Sequence, residues 1–283
     1  VTSFLKKLVA GPFYNHMNRT TPTEIVNEDS GAGVEYLEYQ ELQPTDEELP
    51  AVLQALHSED WKDNFLAIQQ LRAFNKFRWE DLCLVWAQSA HKVLELIDSI
   101  RSSVSKHALM LLSEIFMAPR YGMESFVELA LPILLIKAIN EKAFIRNEAK
   151  KTLEYISSNC PYESTAYILC SHCFHKSGTI SDIAYRHLQK TFGSLVPAVV
   201  FGICVQLLDS KRAPTLKGTK EQLIHLQKTW PDFKIAVNEL DHLQQRKIER
   251  WLEQRPERKA GNLRDMIKRR KKEPVQPVFE LVE

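Results

Sequence analysis

SEDWKDNFLAIQQLRAF, residues 58–74, holds a structural unit in miniature. A polar turn runs into a stretch whose apolar residues recur at three- and four-residue spacing, and within it Ala67 and Leu71 stand one helical turn apart. A small residue followed four positions later by Leu places a notch and a knob on one helix face, which is what a second helix needs in order to dock. The pair returns at Ala108/Leu112, Ala149/Leu153, Ala184/Leu188 and Thr219/Leu223, with first members 41, 41, 35 and 35 residues apart. Four of the five are preceded at i−4 by a residue able to close the turn above: Val104, Ile145, Ile180 and Thr215.

A period of about 35 to 45 residues with two helices per unit predicts a stack of the HEAT or armadillo kind. The rest of the chain agrees. Leu49, Val52, Leu53 and Leu56 repeat the helical spacing, as do Ala108, Leu111, Leu112 and Ile115. Nine glycines in 283 residues leave little room for hairpins of strands. The expected fold is all-α, a HEAT-repeat α-solenoid of about six helical hairpins. At 44% hydrophobic and 26% charged, the chain is long enough to bury a core without staples.

The formal net charge of +1 rules out a uniformly basic binder, but it conceals polarised ends. Residues 24–48 hold nine acidic side chains and no Lys or Arg; residues 255–272 hold nine basic ones against Glu257 and Asp265. The longest apolar runs, 129–136 and 195–205, are too short and too interrupted for the roughly 20 residues of a membrane helix, so no membrane association is expected. Five scattered cysteines do not make a secreted disulfide framework and predict a reducing, cytosolic setting. The start lacks Met and a signal-peptide core, and the chain is expected to be a monomeric fragment of a larger multi-domain protein.

In a stack of hairpins each unit turns on the same edge, so the residues just before each notch should line one ridge: 58–64, 99–106, 140–146, 175–182 and 209–217. These segments carry Trp61, Lys62, Arg101, Lys106, Lys142, Arg146, Lys176, Lys211, Arg212 and Lys217, diluted by Glu59, Asp60, Asp63, Glu141 and Asp182. Such a ridge suits an acidic protein face. No Gly-rich phosphate loop, metal-protease motif or catalytic triad is present, and no enzyme activity or cofactor is expected.

The stretch SEDWKDNFLAIQQLRAF resembles the first repeat of TOG domains, the tubulin-binding HEAT arrays, with a Trp in the first inter-helix loop. IRSSVSKHALMLLSEIF (100–116) resembles their second loop and helix, and NEKAFIRNEAKKTLEYI (140–156) their third. EYLEYQELQP (35–44) and WPDFKIAVNEL (230–240) are similar to features of the CLASP and crescerin-type members. The resemblance implies a TOG-like domain over 34–254, a partly disordered extension over 1–33 and a basic tail or linker over 255–283. It also implies binding of αβ-tubulin or the microtubule along the ridge, in the cytoplasm and cytoskeleton, including the cilium or basal body. Carried over, Trp61 is the apolar anchor beside Lys62; Ser103, Val104 and Lys106 make the second contact; Lys142 and Arg146 the third; Lys176, Lys211, Arg212 and Lys217 the late ones. This chain departs from the family in loop four, where Ser181 and Asp182 replace a common Arg, and in loop five, where Leu216 stands at a commonly basic position.

Other readings stand beside these. Trp61 could be a core residue, and Arg146 could link to Glu148 or to a neighbouring repeat. Cys170-Ser-His-Cys173-Phe-His175 has metal-ligand residue types, but it follows Ala166 on what reads as one helix, where core packing is the simpler account; no metal site is expected. The basic run Lys268, Arg269, Arg270, Lys271 and Lys272 is read as a tether to an acidic surface such as the microtubule lattice. Lacking interleaved aromatics, it is not expected to stack on nucleic-acid bases, though phosphate binding stays open as an alternative, as does a HEAT scaffold for a non-tubulin protein.

Overall fold

The computed structural model describes residues 36–118 and 123–253. The helices below all belong to one compact unit that begins at Leu37. The described residues form α1 (Leu49–Leu56), α2 (Trp61–Phe77), α3 (Trp79–Ile97), α4 (Ser102–Met117), α5 (Glu124–Lys137), α6 (Ala143–Asn159), α7 (Glu163–His172), α8 (Gly178–Thr191), α9 (Pro197–Leu207), α10 (Ala213–Thr229), α11 (Phe233–Asn238) and α12 (His242–Glu253). No strand occurs among them. None of these helices is long and apolar enough to cross a membrane.

Consecutive helices pair as hairpins, α1/α2, α3/α4, α5/α6, α7/α8 and α9/α10, and the hairpins stack. Odd helices touch odd and even touch even down the stack, which makes two layers; the shorter α11 and α12 close it against α10. This is the HEAT-type α-solenoid of about six hairpins that the repeat period implies. All five notch pairs fall on the even helices, and all are buried: Ala67/Leu71 on α2, Ala108/Leu112 on α4, Ala149/Leu153 on α6, Ala184/Leu188 on α8 and Thr219/Leu223 on α10. Helix α4 lies between α2 and α6, and its residues 107–116 are buried without a break.

Polar groups bolt the hairpins together. Arg72 of α2, fully buried, reaches Glu114 of α4 through Nε (2.9 and 3.0 Å) and Nη2 (2.5 Å), while its Nη1 donates to His107 Nε2 at 3.0 Å. Asn159 at the end of α6 donates to the Phe116 and Met117 carbonyls, satisfying the last turn of α4. Ser157 of α6 and His187 of α8 share a buried hydrogen bond of 3.0 Å. At the start of the stack, Lys76 Nζ donates to the carbonyls of Tyr39, Gln40 and Leu42, which ties the leading segment to α2. Helices α8 and α10 approach closely at Gly218, where a Cβ would lie 2.2 Å from the Tyr185 hydroxyl.

Candidate functional site

Five loops turn within the hairpins, α1–α2, α3–α4, α5–α6, α7–α8 and α9–α10, and in this two-layer stack all lie on one edge. Each ends on an N-cap in extended conformation, with φ between −96° and −70° and ψ between 107° and 121°: Asp60, Arg101, Lys142, Ser177 and Arg212. Every N-cap lies seven residues before its notch. Two residues earlier, a side chain accepts the N-cap N–H each time: Ser58 Oγ (3.1 Å), Ser99 Oγ (3.3 Å), Asn140 Oδ1 (2.9 Å), His175 Nδ1 (3.0 Å) and Ser210 Oγ (3.3 Å). These local turns fix the five loops in a common shape.

A second clasp sits three residues before the notch. Asn64 Nδ2 donates to the Ala55, Leu56 and Ser58 carbonyls, Ser105 Oγ to Ile97 at 2.6 Å, Arg146 Nη1 to Asn140 at 2.7 Å and Glu141 at 3.1 Å, and Ser181 Oγ to Cys173 at 2.6 Å. Each side chain satisfies carbonyls at the end of the preceding helix or in the loop itself. Leu216 holds the fifth of these positions and cannot donate. The departures from the family pattern at Ser181 and Leu216 thus fall on a single structural register.

On this frame the sequence-predicted residues separate. Trp61, half-buried at the first position of α2, lies under the Arg101 guanidinium, 5.7 Å from its ring centroid, so the first two loops share a cation–π contact. Lys62, Lys142, Lys176, Lys211 and Lys217 are exposed, while Ser103 and Lys106 are half-buried. Val104 is fully buried beneath Ala108; it closes the helix turn, as its i−4 position implies, and presents no surface. Arg146 spends its guanidinium on its own loop, and its recorded partners are the Asn140 and Glu141 carbonyls. Arg212 is bound by Asp182. Lys268, Arg269, Arg270, Lys271 and Lys272 lie outside the described residues.

Further large apolar residues belong to the edge. Ile100, in the second loop, is 100% exposed, Ile139, in the third, 38%, Phe144, at the start of α6, 41%, and Phe174, in the fourth loop, 47%. Their signal was available: each is a large apolar residue on the loop side of an N-cap or just past it, outside the buried register. With Trp61 they spread apolar surface across loops one to four, beside Lys62, Arg101, Lys142 and Lys176.

The cysteine motif is interior. Cys170 and Cys173 are buried, with thiols directed at Gln206 Oε1 (3.5 Å) and the Leu169 carbonyl (3.2 Å). Burial pushes the Cys170 thiol up to about 12 and Cys173 higher still, which suits packing and not thiolate chemistry. Among the described residues no group of three His, Cys, Asp or Glu is placed to hold a metal ion.

Comparison with known proteins gives a concordant picture. Residues 56–191, from the end of α1 to the end of α8, match the family model described as CLASP N terminal. TOG array regulator of axonemal microtubules protein 1 from Homo sapiens is 27% identical over 128 residues, 44% of this chain, and its Mus musculus counterpart is 26% identical over 123 residues. The chain spans 7% of the length of these curated relatives. Among solved structures, the designed armadillo repeat protein YIII(Dq)4CqI overlays with a TM-score of 0.41 at 17% identity, covering 73% of this chain and 99% of that one. The TOG resemblance drawn from the loop and helix motifs stands over the matched hairpins.

Proposed function

We propose that this TOG-like solenoid binds αβ-tubulin through its loop ridge and acts on microtubule growth or stability as a scaffold without catalysis. The observation that carries the reading is the register of the first three loops, which puts Trp61, Ile100 and Phe144 on one edge among Lys62, Arg101 and Lys142. An aromatic anchor in the centre of an interface contributes on the order of 2 kcal/mol or more, and flanking cations steer it to an acidic face. The names of the relatives, regulators of axonemal microtubules, support placing the chain on the cytoskeleton, including the cilium. In this reading residues 34–254 are the binding unit and the basic run Lys268 to Lys272 is an electrostatic tether to the lattice. One such unit holds one dimer; control of polymerisation comes from linking several in a longer chain.

Size-exclusion chromatography with purified tubulin tests this. The chain should co-elute with tubulin, and Trp61→Glu combined with Lys142→Ala should abolish co-elution while the helical circular-dichroism signal is unchanged. Retained binding in the variant would overturn the ridge reading. Arg146 is left intact in this design, because its loss would distort the third loop as well as remove a charge.

A further inference from the structure

Three of the five N-caps on the ridge are cations, Arg101, Lys142 and Arg212, and they do not face the same surroundings. Arg101 lies over Trp61, and Lys142 is exposed. Arg212 turns back along the stack onto α8, where Asp182 grips it: Nε to Oδ1 at 2.9 Å, Nη2 to Oδ1 at 2.7 Å and to Oδ2 at 2.6 Å. Space for the guanidinium is left by Gly178, the first residue of α8, where a Cβ would sit 2.6 Å from Nη1. The backbone N–H of Arg212 is held by Ser210 Oγ, so the residue is fixed at both ends.

We infer that Asp182 is a specificity-determining residue that withholds Arg212 from an acidic partner and makes the fifth N-cap electrically silent. The inference rests on the ridge being the binding edge. Its logic is electrostatic. An acidic face approaching this point meets the Asp182 carboxylate as well as the guanidinium, so pulling Arg212 free exposes a like charge and gains little. The bidentate fork also fixes the planar geometry that would otherwise be offered to a partner carboxylate. What the late loops still offer is the exposed ring of Phe174 and the side chains of Lys176, Lys211 and Lys217, flexible point charges. Oriented charge on the ridge is thereby left to Arg101 over Trp61 in the early loops, and the chain should favour a partner whose acidic surface is matched there and tolerate a weak match at the far end.

The test uses the full chain and two acidic probes, purified tubulin and an immobilised poly-glutamate column. Asp182→Asn/Arg212→Gln, which removes both charges of the pair, should bind tubulin within about twofold of the parent, whereas Lys142→Gln should lose about fivefold. Asp182→Asn should gain about threefold at low salt, a gain that shrinks at high salt, and Gly178→Ala should move in the same direction because its Cβ displaces the guanidinium. Arg212→Gln alone should lose about threefold at low salt, because it uncovers the Asp182 carboxylate. Retention on poly-glutamate should follow the same order. If the double variant loses as much as Lys142→Gln, or Asp182→Asn gains nothing on either probe, the inference is wrong. Should tubulin fail to bind any form while the column order holds, the tubulin reading falls and the silent position stands; tubulin binding without the order has the opposite meaning.

Discussion

Arg72, Glu114 and His107 form a charged knot inside a layer of apolar side chains, and its energetics are set by what happens when one member is lost. Arg72 is fully buried and Glu114 nearly so. Burial pushes the Glu114 carboxyl above its ordinary value, against the pull of the Arg72 hydrogen bonds and charge. Removing one partner leaves the other uncompensated, so Arg72→Met alone should destabilise the chain by about 3 to 5 kcal/mol, read as a lower urea midpoint. Replacing both, as Arg72→Met/Glu114→Leu, should recover most of that loss. A double variant as unstable as the single one would show that the knot contributes net stability and not only register. The sequence makes Glu114 and His107 visible only as polar interruptions in an apolar run. That Arg72 reaches them depends on the placement of α2 against α4, forty-two residues away in the chain, which local pattern does not contain.

At the scale of elements, the notch pairs and the helix starts were legible because both are short-range: side-chain size at i and i+4, and a polar turn in front. Every predicted ridge segment begins inside the loop between paired helices and runs on into the first turn or more of the following helix. The clasps were not legible. Ser58, Ser99, Asn140, His175 and Ser210 share a role but not a residue type, and a role defined by one hydrogen bond to a backbone N–H two residues on is invisible to composition. Exposure at Ile100 is illegible for the same reason, and the intradomain role open to Arg146 falls to the Asn140 and Glu141 carbonyls in place of Glu148 or a neighbouring repeat, since both depend on where a loop points. The approach of α8 to α10 gives a sharp check on element packing. Gly218→Ala would bring a methyl against the Tyr185 hydroxyl and the Gln189 amide, at 2.2 and 2.8 Å. It should cost about 1 to 3 kcal/mol despite the better helix propensity of Ala, measured as a fall in thermal midpoint. A rise would mean that the two helices can separate without loss.

Across the whole molecule, acid should loosen the stack through its buried histidines. Burial, with the Arg72 charge beside it, holds His107 down at about 3, and burial holds His187 down at about 4 against the pull of Glu154. Both lie below the unfolded value near 6.5, so the unfolded chain binds more protons and stability falls as pH drops. The loss begins near pH 6.5 and continues toward pH 4 and 3; by pH 5 it should amount to about 2 kcal/mol per histidine. Glu114, raised by burial, works in the opposite sense below neutrality and offsets part of it. Denaturant titrations at pH 7 and pH 5 read this directly, and His187→Gln should flatten the dependence by about half, provided the Ser157 hydrogen bond is kept by the amide. A stability independent of pH across that interval would place both imidazoles in contact with water.

Polar ties join every pair of neighbouring hairpins, Arg72–Glu114 the first two, the Asn159 cap the second and third, Ser157–His187 the third and fourth and Arg212–Asp182 the fourth and fifth, while the last helix is tied to the fifth hairpin's turn by the surface pair Lys247–Asp209. Drawn out by its two ends, such a stack should behave as a spring clamped at every joint, its hairpins sharing the load.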